Sequence, residues 1–349
     1  MEIDRVELSD FRNYRTLSLT PAPHLNVLAG PNAQGKTNLL EGLGVLLVGR
    51  SFRGAKAADM LGWGAASAFV GGEIRRGETV RAIRRAVVLR EDGRWGVGGE
   101  GCPWARAIGF GWQDLAILNG VPAARRNFID GFAGRLYPGH VPALVRYRQI
   151  VARRNRLLQA RTDESRLGPW NEQLASTGME LIDRRRRAVA ALQTELARVY
   201  PALAGERHKV EVAYRTSLGE ATEPAALLAA LERRRPDELR RGLTLVGPHR
   251  DDLAIELDGV DARAFGSRGQ QRLLALALRL AEVLPVTEAA GTAPVLLLDD
   301  ALSELDPQIR DNVLREVQSA EQVFLTSPDP LLVSGAARWI VESGGIAAA

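Results

Sequence analysis

Lysine is nearly missing from this chain: of 46 basic residues only Lys36, Lys56 and Lys209 are lysines, and the rest are arginines. A coding bias explains most of that, yet Lys36 fills a place where a compact point charge is wanted and arginine substitutes poorly. Cysteine is absent but for Cys102, which excludes an internal disulfide framework and fits a reducing compartment. The four histidines, His24, His140, His208 and His249, are scattered without metal-ligand spacing. No apolar run approaches the ~20 residues that span a membrane. The opening Met1-Glu2-Ile3-Asp4-Arg5 lacks the apolar run of a signal peptide. A cytoplasmic protein without membrane attachment is therefore expected. What the chain does have is bulk, with 349 residues of which 46% are hydrophobic, enough for one large domain or two.

Gly30-Pro31-Asn32-Ala33-Gln34-Gly35-Lys36-Thr37 fits G-x-x-x-x-G-K-[ST], the phosphate-cradling P-loop. The apolar stretch before it predicts a buried strand, and the one after it, from Thr37 and Asn38 onward, predicts a helix. Glycines let backbone N–H groups close around a β-phosphate, and the helix N-terminus adds its positive end. In that pattern Lys36 reaches the β/γ-oxygens and Thr37 holds Mg²⁺.

Residues 2–29 alternate apolar and polar, which predicts short strands around the turn Phe11-Arg12-Asn13-Tyr14. Residues 69–97 predict further antiparallel strands. Between Tyr137-Pro138-Gly139 and Gly242 the chain turns arginine-rich and helical. Residues 145–160 predict one helix, broken by Gly168-Pro169. Leu174, Leu181, Val189, Leu192, Leu196 and Val199 then form one helical stripe about 30 residues long, too short for a sustained coiled coil. Past Gly242 a strand-like stretch at 243–246 leads to the hairpin signal Asp258-Gly259. Ser267 caps an apolar helix at 268–284 that Pro285 stops. Apolar strands are expected at 295–298 and 322–326. The predicted architecture is an α/β P-loop head formed by 1–137 and 243–349, with an inserted, mainly helical lobe at 138–242.

Asp299 ends one apolar strand, the position from which a carboxylate reaches P-loop Mg²⁺. Asp300 beside it can orient or deprotonate an attacking water, although an acidic pair there also serves as a cap or a solvated turn. Ser267-Arg268-Gly269-Gln270-Gln271 opens the next-to-last long helix. A serine and a glycine N–H at a helix start can hold an anion, but alone they are equally an ordinary N-cap. Ser303-Glu304-Leu305-Asp306 follows the acidic pair.

The set G-x-x-x-x-G-K-T, S-x-G-Q, L-L-L-D-D and S-x-L-D, in this order, resembles the ABC-type ATPases and specifically their SMC-like DNA-repair branch. Phe11-Arg12-Asn13-Tyr14, Gly49-Arg50-Ser51-Phe52-Arg53, Arg125-Arg126-Asn127-Phe128-Ile129-Asp130 and Gly247-Pro248-His249-Arg250-Asp251-Asp252 narrow the resemblance to the RecF family. It runs from about residue 8 to 327 and implies an ABC-type head of mixed sheet plus antiparallel β subdomain, without a long coiled coil. It also implies that Gly30, Pro31, Asn32, Ala33, Gln34, Gly35, Lys36, Thr37 and Asn38 bind ATP, with Arg12 and Asn13 from the N-terminal loop. Thr37 and Asp299 would hold Mg²⁺, with Gln113 as the Q-loop residue sensing the metal and the γ-phosphate. That segment departs from the family, which reads Pro-Glu-Asp where this chain has Trp112-Gln113-Asp114. Asp300 stands where most such ATPases have a catalytic glutamate. Ser267, Gly269 and Gln270 would meet the γ-phosphate of the opposite subunit, and Ser303 and Asp306 would lie across that interface. Thr326-Ser327 replaces the switch histidine of transporters, which implies slow hydrolysis.

The implied function is an ATP-dependent homodimer that clamps DNA at single-strand/duplex junctions. With RecO and RecR it would promote recombinase loading, fork recovery and the SOS response, and weak, DNA-dependent ATP hydrolysis would release it. The arginine clusters Arg153, Arg154, Arg156, Arg184, Arg185, Arg186, Arg187 and Arg233, Arg234, Arg235 suit phosphate-backbone contacts, or simply a solvated helix face. A transporter subunit and a metabolite kinase share the P-loop. The missing switch histidine and the arginine-rich insertion speak against the first, and the Ser267 helix start against the second.

Overall fold

The helix Lys36–Val48 that follows the P-loop is apolar on every side, with Leu39, Leu40, Leu43, Val45, Leu46 and Leu47 all buried. Such a helix needs partners all round. The computed structural model, which describes residues 1–161, 164–205, 208–329 and 331–349, supplies them as two sheets. One is an antiparallel sheet of five strands in the order Tyr14–Leu19, Glu2–Phe11, Ala68–Arg76, Thr79–Leu89 and Trp95–Gly98. The other has six strands, in the order Gly345–Ala348, Ala337–Glu342, His24–Ala29, Gln322–Ser327, Val295–Leu298 and Ala107–Phe110. Its pairs are parallel except for the terminal hairpin. The strand Val295–Leu298 is buried throughout, as a strand covered on both faces must be. Parallel pairing sets the C-terminal ends of His24–Ala29, Gln322–Ser327 and Val295–Leu298 side by side, so the P-loop and the Asp299-Asp300 pair emerge at one edge.

The chain divides into two compact units. The first comprises Met1–Leu115, Val199–Arg207 and Ser267–Ala349, and the second Ala116–Arg198 and His208–Gly266. The second unit is wider at both ends than the arginine-rich stretch 138–242 that marks it by composition. The reason is pairing: strand Asp252–Leu257 zips antiparallel onto Val210–Arg215, and Arg125 grips Asp252 through two hydrogen bonds of 2.7 and 2.9 Å. Asp258 and Gly259, both with positive φ, close the expected hairpin onto Val260–Asp261.

Three local expectations fail for identifiable reasons. Gly168-Pro169 does not break the chain: it lies in the second turn of a 41-residue helix, Glu164–Ala204, whose buried stripe of Leu174, Leu181, Val189, Leu192, Leu196 and Val199 outweighs the hydrogen bond and the local clash that proline costs. The helices before it run Pro122–Leu136 and His140–Gln159, and the latter is about half its length, so no long coiled coil forms. Residues 243–246 are coil, because side chains satisfy their backbone. Asn155 and Glu238 accept from the N–H of Thr244 and Leu245, while His249 and Arg250 donate to the Thr244 carbonyl. The capped helix ends at Leu280, and Pro285 sits in the first turn of the next one, Val283–Ala290, where its missing N–H is one of the unpaired four. Among the described residues no helix is long and apolar enough to cross a membrane.

Candidate nucleotide site

The P-loop is braced from beneath by side chains of the neighbouring turns. Asn13 donates to the Gln34 carbonyl at 3.1 Å and accepts from Asn38 at 2.8 Å, while Tyr14 donates to the Gly35 carbonyl at 3.1 Å. Gln34 also accepts from the Ser343 N–H at 2.7 Å. At two positions of the loop there is no room for a side chain. Gly35 has φ +119°, and a Cβ there would stand 2.6 Å from Asn13 Nδ2. Gly30 has φ +145°, and a Cβ would meet the Val341 carbonyl at 2.3 Å. Only glycine fits either place.

Above the loop lies a cavity of about 390 Å³, lined by Asn32, Ala33, Gly35, Lys36, Thr37 and Asn38 together with Arg53, Trp112, Asp299, Asp300, Thr326, Ser327 and Pro328. Lys36 Nζ donates to the Gly30 and Pro31 carbonyls, and burial lowers its pKa against the pull of Asp299 and Asp300. The Thr37 and Thr326 hydroxyls both donate to Asp299 Oδ1, at 2.8 and 3.0 Å. Burial raises the Asp299 pKa and those two donors oppose it. Thr326 also accepts from the Asp300 N–H at 2.8 Å, so one hydroxyl organises the acidic pair. Asp300 is held at φ +53° with its side chain about half exposed.

A nucleoside triphosphate with Mg²⁺ fits this donor set. The glycine cradle has space only for backbone N–H groups, and Thr37 and Asp299 put two oxygens together where a hard cation takes ligands. Gln113 lies behind Trp112; its amide nitrogen reaches the Phe52 carbonyl at 3.5 Å, and its Oε1 is buried without a hydrogen-bond partner.

The remaining sequence candidates do not line this cavity. Arg12, with φ +55°, turns its guanidinium onto Glu41, whose side chain is 0% exposed. With Asn13, Asn38 and Arg53 it lines a second cavity of about 880 Å³ that includes the fully exposed Trp63. Ser267, Gly269 and Gln270 open the helix Arg268–Leu280 with a capping box: the Ser267 hydroxyl accepts from the Gln270 N–H and the Gln270 side chain accepts from the Ser267 N–H. Ser267 and Gln270 are exposed, as is Asp306, and Ser303 is half-buried.

Sequence reasoning missed the residues that wire this site. Arg279 spans Asp114 and Glu282, tying the helix Arg268–Leu280 to the segment that carries Gln113. Arg272 donates to the Asp300 carbonyl and sets its guanidinium 3.6 Å from the Asp300 carboxylate. Both arginines interrupt an otherwise apolar run seven residues apart, on one helix face, and that spacing was a readable signal. Glu41 collects Arg12, Ser51 and Arg53, joining two of the passages singled out by resemblance.

In the second unit the other two distinctive passages form one buried network. Arg185 forks onto Asp130 at 2.8 and 2.9 Å and donates to the Pro248 carbonyl at 2.6 Å. His249 Nε2 donates to the Thr244 carbonyl, which leaves Nδ1 to accept from the Tyr147 hydroxyl at 2.8 Å. Burial pushes the His249 pKa down to about 4, so the ring is neutral. The arginine clusters are thus not one solvated face. Arg154 and Arg185 are only 2% exposed, Arg186 is committed to the Gly219 and Ala221 carbonyls, and Arg187 covers the Tyr137 ring.

Known proteins resemble this chain in sequence and in fold. Two family models match, one described as "AAA domain" over residues 5–177 and one as "AAA domain, putative AbiEii toxin, Type IV TA system" over residues 152–334. The chain is 37% identical to the DNA replication and repair protein RecF of Lactobacillus delbrueckii subsp. bulgaricus, covering 94% of this chain and 91% of the relative. It is 37% identical to the protein of that name from Desulforudis audaxviator, covering 99% of each. The solved "recombination mediator protein RecF-ATP in RecFOR pathway" superimposes with a TM-score of 0.88 at 28% identity, covering 99% of this chain and 97% of that one. An Smc head bound to a domain of ScpA shares the fold alone, with a TM-score of 0.57 at 15% identity, covering 100% of this chain and 97% of that one.

Proposed function

Since this chain belongs to the RecF family of ATP-binding DNA replication and repair proteins, we propose that ATP joins two copies of it into a dimer that clamps DNA. The observation that carries this reading is the position of Ser267, Gly269, Gln270, Ser303 and Asp306. They have the residue types and order of the elements that meet nucleotide in related ATPases, yet none of them lines the chain's own P-loop cavity. A second copy gives them something to bind.

In this reading each pocket is shared. One copy contributes residues 30–37, whose N–H groups and Lys36 ammonium take the phosphate oxygens. Thr37 and Asp299 would hold Mg²⁺, which would supply positive charge against the phosphate oxygens, and Gln113 would sense the metal. The other copy brings the Ser267 hydroxyl and Gly269 N–H at the positive end of a 13-residue helix, with Ser303 and Asp306 completing the contact. Asp300 orients or deprotonates the attacking water. Its side chain is one methylene shorter than the glutamate of related enzymes, and Thr326-Ser327 stands in place of a switch histidine. Both features favour slow hydrolysis. ATP then acts as glue and hydrolysis as release.

The same relationship brings DNA and, with RecO and RecR, recombinase loading at single-strand/duplex junctions in fork recovery and the SOS response. Light scattering with ATP and Mg²⁺, run beside DNA binding by fluorescence anisotropy, tests the reading. The expected outcome is a dimer with ATP, a monomer without it, and tighter DNA binding by the dimer. A monomer at saturating ATP would contradict it, and turnover as fast as a transporter ATPase would contradict the release step.

A further inference from the structure

The second unit contains a cavity of about 220 Å³ whose inner wall is formed by the buried Asp130, Tyr147 and Arg185 with His249. Ala123, Arg126 and Asn127 on the helix Pro122–Leu136, and Leu144 and Arg148 on the helix His140–Gln159, complete the lining. The two passages most distinctive in the sequence therefore converge on a space to which the nucleotide site gives no role.

Its charge is unbalanced. Asp130, the one carboxylate in the wall, is spent: Oδ1 accepts from Arg185 Nε and His140 Nε2, and Oδ2 from Arg185 Nη2. The neighbouring carboxylates are engaged too, Asp251 by Tyr214 and Asp252 by Arg125. His249 has both ring nitrogens in hydrogen bonds and carries no charge. Among the described residues Arg126 donates once, from Nη1 to the Asp251 carbonyl at 3.0 Å, which leaves its Nε and Nη2 for another acceptor. Arg148 is exposed and pairs with no carboxylate among the described residues. Burial, and then the nearness of Arg185, lower the Arg126 pKa against the pull of Asp252, Asp130 and Asp251. Two guanidinium groups from different helices, with the exposed Asn127 amide, are the donor set of an oxyanion site.

We propose that this cavity seats one phosphate of the DNA backbone, gripped by Arg126 and Arg148 with Asn127 as a further donor. The proposal rests on the DNA-binding reading above. A contact to a backbone phosphate positions duplex without reading its sequence.

Anisotropy titrations of labelled duplex with the full-length protein and ATP, over a salt series, test it. Arg148→Gln removes an exposed side chain that makes no hydrogen bond or ion pair among the described residues. It should weaken binding several-fold and make the slope of log K against log salt shallower by about 0.9, the value of one phosphate contact. Arg126→Gln should do the same, and ATP-driven dimerisation should be unchanged in both. Wild-type affinity and slope in both variants would overturn the site while leaving the dimer reading standing. A wild type that binds no DNA would overturn both. Stabilisation of the wild type by inorganic phosphate, lost in Arg148→Gln while duplex binding stays intact, would assign the cavity to a free anion and overturn the DNA assignment.

Discussion

Arg12, Arg272 and Arg279 in the first unit, and Arg125, Arg154 and Arg185 in the second, all set a largely buried guanidinium against a carboxylate. They differ in what the carboxylate belongs to. In the first unit the acids are Glu41 on the P-loop helix, Asp300 in the cavity wall and Asp114 beside Gln113, so each pair ends on a segment that carries a candidate nucleotide-site residue. In the second unit Asp252, Glu238 and Asp130 belong to strand or helix, and each pair joins one element to another. The same chemistry tunes a site in one place and builds a core in the other. A block of arginines in a sequence therefore does not by itself mark a surface for DNA.

That contrast predicts separable losses. The largest should follow Arg185→Ala, which leaves the buried Asp130 without its main partner and should cost about 3–5 kcal/mol, read by urea unfolding. Arg272→Gln should cost far less, because the Asp300 side chain is about half exposed. Equal losses at the two sites would erase the distinction. Next in size is a pH effect confined to the second unit. His249 has a folded pKa of about 4 against an ordinary 6.5, so the unfolded chain takes up its proton first as pH falls. The stability contributed by the neutral ring is present above about pH 6.5 and is lost progressively toward pH 4, amounting to about 2 kcal/mol between pH 7.5 and 5. His249→Gln should flatten that part of the wild-type curve, and identical pH curves would show that the ring does not titrate as stated. The smallest effect is catalytic. Arg272→Gln should lower kcat for ATP about tenfold, or about 1.4 kcal/mol, with KM and ATP-dependent dimerisation unchanged. Arg272→Lys should restore part of it, whereas a change in KM alone would place Arg272 in nucleotide binding and outside the positioning of Asp300.

The local features were legible in the sequence, and the features that depend on remote partners were not. The P-loop, the Ser267 cap and the Asp258-Gly259 hairpin each rest on residues within a few positions of one another, and each stands where expected. The coil at 243–246 escaped because its hydrogen bonds come from Asn155 and Glu238, on two different helices. Arg185 looked solvated because its acid, Asp130, lies 55 residues away. The wider second unit escaped for the same reason, since composition cannot show that Val210–Arg215 pairs with Asp252–Leu257. Within the site, the Walker-type residues were readable as a motif, while Thr326, which bridges both aspartates, carries no local signal.

The shared pocket can be tested by splitting its halves between two variants. Ser267→Arg keeps a working P-loop with a spoiled helix start, and Lys36→Met keeps the helix start with a spoiled P-loop. Each alone should remain monomeric with ATP, whereas an equimolar mixture should form a dimer, seen by light scattering, because one intact pocket can be assembled from the two. A mixture that stays monomeric under conditions where the wild type dimerises, or a single variant that dimerises unaided, would contradict a triphosphate held between two copies.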